Sequence, residues 1–304
     1  MGIHLAAYLL ANTDARITLF NDLSEPGADH NLAWLRGQAE PGRFTTVRGD
    51  LRNPALVAYA AATASEIYHL VRNCDDAPQG FHDSATACTS SLLDAAIHSG
   101  RSPAVIYAST GNPETVRCSG AEQLVLDYAR VHHLPATVLR IDTVTGPRQF
   151  EEGQDWVARM VYAVLSGRVL NLPSASSEPH HVLHVADAVQ AVLAARAYAG
   201  ITAGNSYSVA GGRAHSITVH HMIRLVERIC HRKARLGGPG GLPADVSPAV
   251  ADDVSFTTDT CWRPRRSLEE TLRDIVAFWH ASHQGLSTAR SYSEPDRMPQ
   301  VRAA

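Results

Sequence analysis

Hydrophobic and polar positions alternate regularly from the start of the chain to about residue 142. Short runs rich in β-branched residues predict strands, and the longer stretches rich in alanine and leucine between them predict helices. The predicted helices cover residues 2–12, Ala28–Arg36, Pro54–Thr63, 83–98 and 118–132. The predicted strands cover Arg16–Asn21, Phe44–Arg48, Glu66–Leu70, Ala104–Ser109 and Ala136–Ile141. Because strands and helices alternate, we expect an α/β fold with a doubly wound parallel sheet.

Beyond about residue 150 the pattern becomes helical and less regular. The clearest predicted helices are Asp155–Leu165, Val185–Ala197, Thr218–Cys230 and Leu268–His280. We expect three regions: a sheet domain over 1–150, a small α+β cap over 151–283 with some elements returning to the sheet domain, and a disordered tail over 284–304. The tail is polar and rich in serine and arginine, a composition that cannot bury enough apolar surface to order itself.

Charge and composition narrow the possible functions. The 304 residues include 27 basic and 30 acidic side chains, with a formal net charge of −3. No basic excess is available to displace counterions from nucleic acid, so we expect no nucleic-acid partner. Lys233 is the single lysine, and a mechanism that needs a lysine therefore has one candidate.

The apolar segments, the start of the sequence and the cysteines together predict an ordinary intracellular enzyme. No stretch reaches the roughly 20 apolar residues of a membrane helix, and the start lacks the features of a signal peptide, so we expect a cytoplasmic protein without a membrane partner. The five cysteines are odd in number and form no CxxC pair, which favours neither a disulfide framework nor a zinc site.

Several short segments, in order along most of the chain, resemble the extended short-chain dehydrogenase/reductase family, the NAD-dependent sugar-nucleotide epimerases and dehydratases, and within it most of all the CDP-paratose (tyvelose) 2-epimerases. The segments are FNDLSEPGADHNLAWL at 20–35, RGDLRN at 48–53, IYHL at 67–70, SLLDAA at 91–96, IYAST at 106–110, AEQLVLDYAR at 121–130, TGPRQF at 145–150, LHVADAVQA at 183–191 and CWRPRRSLEETL at 261–272. The resemblance implies a Rossmann-like fold that lacks its usual first strand here, with a C-terminal cap.

In this family a strand followed by GxxGxxG holds the cofactor diphosphate at a helix N-terminus. The chain begins inside that motif, and Gly2 matches its last glycine. The acidic residue that holds the adenosine ribose in the family matches Asn21, while the adenine-side pair is kept as Asp50 and Leu51. The small residue expected after the next strand is replaced by Arg72, whose bulk would enter the cofactor space.

The family's catalytic YxxxK pair is altered as well. In the alignment on AEQLVLDYAR, Glu114 stands at the tyrosine position and Cys118 at the lysine position, and Thr110 matches the third catalytic residue. Lys233 cannot take the role of the missing lysine because it lies far away in the cap. The resemblance therefore implies that hydride chemistry is lost.

The substrate diphosphate site of the family is only partly kept. The Arg-Asp pair that precedes the LHV strand matches His180 and His181, whereas Arg148 of the GPRQF segment is retained. A nucleotide sugar is thus no longer implied as the ligand. Metal binding by His180, His181 and His184 is disfavoured, because adjacent strand residues point to opposite faces.

Polar residues at the carboxyl ends of the strands form the candidate site, since open α/β sheets bind ligands there. The candidate catalytic residues are Arg72, Asp75, Asp76, Thr110 and Glu114. The candidate ligand-binding residues are Gly2, Asp50, Leu51, His69, Ser109, Cys118, Arg148, His180 and His181, with no metal. Structural roles remain open beside these: an internal ion pair of Arg72 with Asp75 or Asp76, a turn cap for Thr110, a helix-dipole contact for Glu114 and a buried position for Cys118.

From these residues the leading expectation is a non-redox isomerase, lyase or cyclase that acts on a small metabolite without a cofactor. One alternative is an NAD-dependent nucleotide-sugar epimerase or dehydratase whose start was misassigned. Another is a catalytically inactive binding or partner protein on the same scaffold. The partners considered are a small-molecule substrate and a second copy of the chain in a homodimer.

Overall fold

A computed structural model of the chain describes residues 1–25, 27–70, 81–110, 116–149, 155–170, 179–237 and 254–289. Within these ranges the N-terminal half alternates helix and strand as the sequence predicts. Its helices are α1 (Gly2–Asn12), α2 (Ala28–Gln38), α3 (Pro54–Ala61), α4 (Phe81–His98) and α5 (Val116–His132). Its strands are β1 (Ile17–Asn21), β2 (Phe44–Arg48), β3 (Glu66–Leu70), β4 (Ala104–Thr110) and β5 (Ala136–Ile141).

The C-terminal half contains short strands and longer helices. Its strands are β6 (Thr143–Thr145), β7 (Val169–Leu170), β8 (Pro179–His184), β9 (Ser206–Val209), β10 (Ser216–Thr218) and β11 (Arg235–Leu236). Its helices are α6 (Trp156–Ser166), α7 (Val185–Ala197), α8 (Ala199–Thr202), α9 (Val219–Cys230), α10 (Val254–Thr260) and α11 (Leu268–Ala289). Helix α11 extends past residue 284, where the sequence predicted the tail to begin, and residues 290–304 lie outside the described part of the chain.

The main sheet has four parallel strands in the order β3-β4-β5-β9. Strand β9 is short and alternates polar with apolar residues, and it was missed in the sequence. Helix α7 packs on the main sheet through Ala188 and Val192, which are both fully buried. The parallel sheet with its covering helices confirms the expected α/β Rossmann-like class.

Strands β1 and β2 form a separate parallel pair in register from Ile17 opposite Phe44 to Asn21 opposite Arg48. In the classic order of such sheets one further strand lies between the positions held here by β1 and β3. Among the described residues, no ladder joins β1 to β3. The sheet is thus open along its middle, and the two facing strand edges border a cavity.

The cap has its own apolar core. Helices α6, α9 and α11 bury Val161, Met222 and Leu272 against one another. A mixed three-stranded sheet, in the order β10-β8-β6, joins this core to the end of β5. Removal of these side chains from water stabilises the cap by about 1.5–3 kcal/mol for each large aliphatic residue. In the described part of the chain, no helix is both long and apolar enough to cross a bilayer.

Candidate functional site

The opening between the two sheets is a cavity of about 1640 Å³. Every residue of β1 (Ile17–Asn21) and of β3 (Glu66–Leu70) lines it, as do the first turns of α1. Residues at or just after the carboxyl ends of β2, β4 and β5 complete the lining, including Asp50, Ser109 and Asp142. The cavity therefore runs along the whole gap, from Arg16 and Ser65 at the amino ends of β1 and β3 to the carboxyl edge of the sheet, where proteins of this architecture bind ligands.

The N-terminus of α1 opens into the cavity. Met1 is the N-cap residue, and its side chain makes no capping hydrogen bond. The N–H groups of His4 and Leu5 donate to the Met1 carbonyl at 3.0 and 3.1 Å. The N–H groups of Gly2 and Ile3 lie in the first turn, where the helix offers them no carbonyl acceptor, so they are donors at the positive end of the helix dipole. Gly2, predicted as a ligand-binding residue, lines the cavity at this end of the helix.

The ends of β1 and β2 carry polar side chains that are engaged in local turns. Asn21 accepts a hydrogen bond from the Leu23 N–H at 2.6 Å. Asp50 is held by the Arg52 guanidinium at 2.5 Å, and this hydrogen-bonded pair lowers the pKa of the Asp50 carboxyl to about 2. Leu51 follows it along the cavity wall. Asp50 and Leu51, predicted from the sequence as ligand-binding residues, thus line the cavity together with Asn21.

Ser109, near the end of β4, belongs to a buried polar chain. Its hydroxyl donates to Glu122 Oε1 of α5 at 2.5 Å. Arg140 of β5 donates from Nε to Glu122 Oε2 at 2.8 Å. Glu122 is 6% exposed, and both of its oxygens are therefore satisfied by hydrogen bonds inside the protein. No role was predicted for Glu122. It lies between the buried residues Ala121 and Val125, and a carboxylate in such a position usually needs a partner inside the protein.

His69 lines the cavity, and its ring also contacts two other side chains of the protein. Its Nε2 lies 3.2 Å from the Thr89 hydroxyl, and its ring packs against Tyr107 at 5.3 Å between centroids. Burial lowers the pKa of His69 to about 4, so the ring is neutral at pH 7. These contacts favour a structural role, and the predicted ligand contact stays a prediction.

Arg148 lies at the opposite rim of the cavity. Its guanidinium carbon is 3.7 Å from the centre of the Trp34 ring and 5.7 Å from that of Phe278. Its carbonyl accepts from Asn31 Nδ2 at 3.1 Å. No carboxylate in the described part of the chain forms an ion pair with this guanidinium. The aromatic stacking orients the cation, a feature that the sequence alone did not show.

The histidines of β8 lie away from the cavity. His180 is buried, and its ring meets Trp156 edge-on at 5.5 Å. His181 Nδ1 is 3.3 Å from the Gly212 carbonyl, while His184 accepts the Ala186 N–H at the start of α7. In the part of the chain that the structure describes, no three histidine, cysteine or acidic side chains converge as metal ligands. Neither His180 nor His181 lines the cavity, so their predicted ligand roles gain no support from position.

Several predicted site residues cannot be placed. Arg72, Asp75, Asp76 and Glu114 lie outside the described residues, and for Thr110 and Cys118 only the backbone is described. Thr110 ends β4, and Cys118 lies in the first turns of α5. Thr110 directly follows Ser109, which lines the cavity. The catalytic and ligand-binding roles of all these residues remain predictions.

Asp142 was not singled out in the sequence. It follows the last residue of β5 and lines the cavity. Burial raises the pKa of its carboxyl group to about 6. A carboxylate directly after a central strand lies at the ligand-binding edge of the sheet, and this position is the signal that could have identified it.

Known proteins provide relatives of this chain. Residues 120–210 match the family model described as the NAD dependent epimerase/dehydratase family. CDP-paratose 2-epimerase of Salmonella typhi is 25% identical over 324 residues, which cover 90% of this chain and 95% of that protein.

Solved structures show the same fold. UDP-glucuronic acid 4-epimerase from Bacillus cereus, in complex with UDP-glucuronic acid and NAD, superposes with a TM-score of 0.80 at 19% identity, over 92% of this chain and 96% of that one. DesIV, a dTDP-glucose 4,6-dehydratase from Streptomyces venezuelae with NAD bound, gives a TM-score of 0.80 at 20% identity, over 93% of this chain and 95% of that one.

These relatives correct two expectations from the sequence. The non-redox isomerase, lyase or cyclase is wrong, and so is the absence of a cofactor, because the matching family is NAD dependent and the superposed structures hold NAD. The error has a physical origin. The expectation rested on the missing strand and glycines as well as on the altered YxxxK pair, whereas the N-terminus of α1 and the carboxyl ends of the remaining strands still border a cavity at the ligand-binding edge of the sheet.

Proposed function

We propose that this chain, a homologue of the NAD-dependent epimerases and dehydratases that carries their family domain over residues 120–210, is an enzyme that binds NAD in the described cavity and acts on a nucleotide-linked sugar. One observation carries the proposal. The N-terminus of α1 and the carboxyl ends of β1 to β5 line a single cavity of about 1640 Å³. Sites for small ligands usually measure about 300–1,000 Å³. Part of the volume here runs along β1 and β3, where the classic sheet has a further strand, and the part at the carboxyl ends of the strands is where a dinucleotide would lie.

The donors around the cavity fit a dinucleotide. The N–H groups of Gly2 and Ile3 would hold the diphosphate, since a helix N-terminus favours negative charge. Asn21 would contact the adenosine ribose, and Leu51 would lie beside the adenine. When bound, NAD supplies a reversible oxidation of a sugar carbon.

Other residues of the chain would hold the sugar ligand. Arg148 presents a positive charge fixed against Trp34, which suits the diphosphate of a nucleotide sugar. The Ser109 hydroxyl donates to Glu122, so its oxygen is left to accept a hydrogen bond from a sugar hydroxyl. Arg140 fixes Glu122 from the other side and so prevents Ser109 from rotating away.

Titration of the full chain with NAD and NADH by calorimetry tests the proposal. We expect saturable binding in the micromolar range, and we expect Gly2→Asp to weaken it at least tenfold, equivalent to about 1.4 kcal/mol. The new carboxylate would repel the diphosphate at the N-terminus of α1. The fold should tolerate it, because a Cβ at Gly2 meets only Leu70 Cδ1 at 3.4 Å and acidic residues suit a helix start.

Gly2→Asn is the matched control, with the same shape and no charge. It should bind NAD within about threefold of the unaltered chain, since charge repulsion and not size is the tested cause. Absence of saturable binding up to millimolar NAD would refute the proposal. Equal weakening by both substitutions would refute the placement of the diphosphate at α1.

A further inference from the structure

One carboxyl group in the cavity keeps an oxygen that no other side chain or backbone group of the described residues satisfies. Asp142 is fixed through its backbone, because its N–H donates to the Val209 carbonyl of β9 at 3.0 Å. Its Oδ1 accepts the N–H of Thr143 at 2.7 Å. Its Oδ2 is buried and has no hydrogen-bond partner among the described residues. A buried oxygen without a partner costs about 1–3 kcal/mol, which is consistent with a partner supplied by a bound ligand.

The other acidic side chains of the cavity are engaged. Asp50 pairs with Arg52, and Glu66 accepts from the Tyr68 hydroxyl at 2.6 Å. Asp155 accepts from the Val157 N–H at 2.9 Å and from the Thr145 hydroxyl. Among the carboxylates of the described residues, only Asp142 has a buried oxygen left without a partner.

Nearby charged residues have less influence than burial on the pKa of the Asp142 carboxyl group. His181 of β8 acts on it electrostatically and favours the carboxylate when the imidazole is protonated. On α5, Glu122 is compensated by Arg140 of β5. On α7, Asp187 accepts the Arg266 N–H at 2.9 Å.

The strands on either side of β5 add no further charge. Strands β4 and β9 contain no acidic or basic residue, and helix α8 likewise contains none. Their tyrosines are occupied, since Tyr107 packs on His69 and Tyr207 donates to Asp259 at 2.7 Å. Desolvation is therefore the main influence on the carboxyl, and it keeps the proton more tightly held than in water.

We infer that Asp142 is a catalytic acid/base residue that exchanges a proton between its Oδ2 and a hydroxyl of the sugar bound in the cavity. The inference rests on the proposed function. In the forward direction the O–H bond of the sugar breaks, an O–H bond forms on Oδ2, and the electron pair stays on the sugar oxygen. The carboxylate becomes a neutral carboxylic acid, and the reverse step returns the proton. Glu114, at the family's tyrosine position, stays a separate candidate for an acid/base role, since it lies outside the described residues.

Turnover of the full chain with NAD is compared for Asp142→Asn and the unaltered protein. The probes are UDP-glucose, UDP-glucuronic acid and dTDP-glucose, and NADH absorbance and product sugars are followed. We expect Asp142→Asn to lower kcat about 10²–10³-fold, the usual loss for a general acid/base. NAD affinity should stay within about threefold. The acidic limb of the kcat/KM profile, with its midpoint near the carboxyl pKa of about 6, should disappear.

Glu66→Gln is the matched control, because Glu66 lines the same cavity but is bound to Tyr68 and pairs with Arg196. It should keep both kcat and the pH profile. A carboxyl infrared band that titrates near the Asp142 pKa of about 6 and is absent from Asp142→Asn would show that the group itself titrates, independently of turnover. Unchanged turnover and profile in a folded Asp142→Asn protein would overturn the inference alone. Failure of the unaltered chain to bind NAD or turn over any probe would overturn the proposed function and this inference with it.

Discussion

Between about pH 6.5 and pH 4 the free energy of unfolding should fall by about 3 kcal/mol, because two buried histidines stay neutral in the folded protein. Burial lowers the pKa of His69 to about 4, and burial with neighbouring positive charges lowers that of His4 to about 4. Below about pH 6.5 the unfolded chain binds protons at both positions and the folded protein does not. Stability is therefore fully present above this pH and is lost as the pH falls towards 4.

The titration of Asp142 has the opposite effect on the free energy of unfolding and offsets part of the loss caused by the histidines. Its carboxyl has a pKa of about 6 in the folded protein against an ordinary value of 3.8, so it disfavours folding as the pH rises through that window. On acidification it restores up to about 3 kcal/mol, and each histidine removes up to about 3 kcal/mol. For these three groups the net loss corresponds to about one histidine. Burial also lowers the pKa of His180 and His184, which changes stability in the same direction as His4 and His69.

Urea denaturation at about pH 7, 5.5 and 4.5 measures this dependence. In His69→Gln the amide can still bond Thr89 but cannot titrate, so the acid-induced loss of stability should shrink by about 2–3 kcal/mol. His132 is exposed, and His132→Gln should leave the pH dependence unchanged. A His69→Gln protein whose stability falls with acid as steeply as that of the unaltered chain would contradict the assignment.

Replacement of Phe256 with alanine should lower the free energy of unfolding by about 3–5 kcal/mol, the range for a fully buried aromatic side chain. Phe256 of α10 is 0% exposed. Its ring meets Tyr207 of β9 at 5.4 Å and Trp262 at 5.6 Å. The loss would remove the contact by which the C-terminal region covers the edge of the main sheet, and a cavity would remain. Urea denaturation at about pH 7.5, where the buried histidines are neutral, gives the difference.

Tyr59→Ala is the matched control because this aromatic side chain is 72% exposed. It should change stability by no more than about 0.5 kcal/mol. A Phe256→Ala loss below about 1 kcal/mol would mean that α10 contributes little to the main fold.

Most of the N-terminal elements were predictable from the sequence because each strand there is a β-branched run followed by an amphipathic helix. Strands β2, β3 and β5 begin and end where the pattern placed them. Strand β9 was not predicted because its alternating segment, SYSV, is only four residues long. Helix α11 continues to Ala289, past the predicted end at His280. Its buried residues Ile275 and Trp279 lie in the part that the sequence predicted and anchor it in the cap.

The candidate site was only partly predictable. Asp50, predicted from the family resemblance, and Ser109, predicted from its place at the end of a strand, both line the cavity, because the carboxyl ends of parallel strands meet at one edge. Asp142 directly follows β5, but it lies three residues before the segment TGPRQF at 145–150, which carries the family match and Arg148. The stacking of Arg148 on Trp34 joins residues more than a hundred positions apart. Such contacts leave no local pattern in the sequence.

The gap between β1 and β3 divides the sheet into two parts that can open at different free energies. Strands β1 and β2 share a ladder with each other, and in the described residues they contact the rest of the protein through side-chain packing of α1, α2 and α3. Strands β4 and β5 lie in the interior of the other ladder. Units without a shared ladder can open at a lower free energy than the global transition. The β1–α2–β2 unit is thus the part of the cavity wall most easily remodelled, and a ligand that bridges it to β4 and β5 would make the two halves unfold as one.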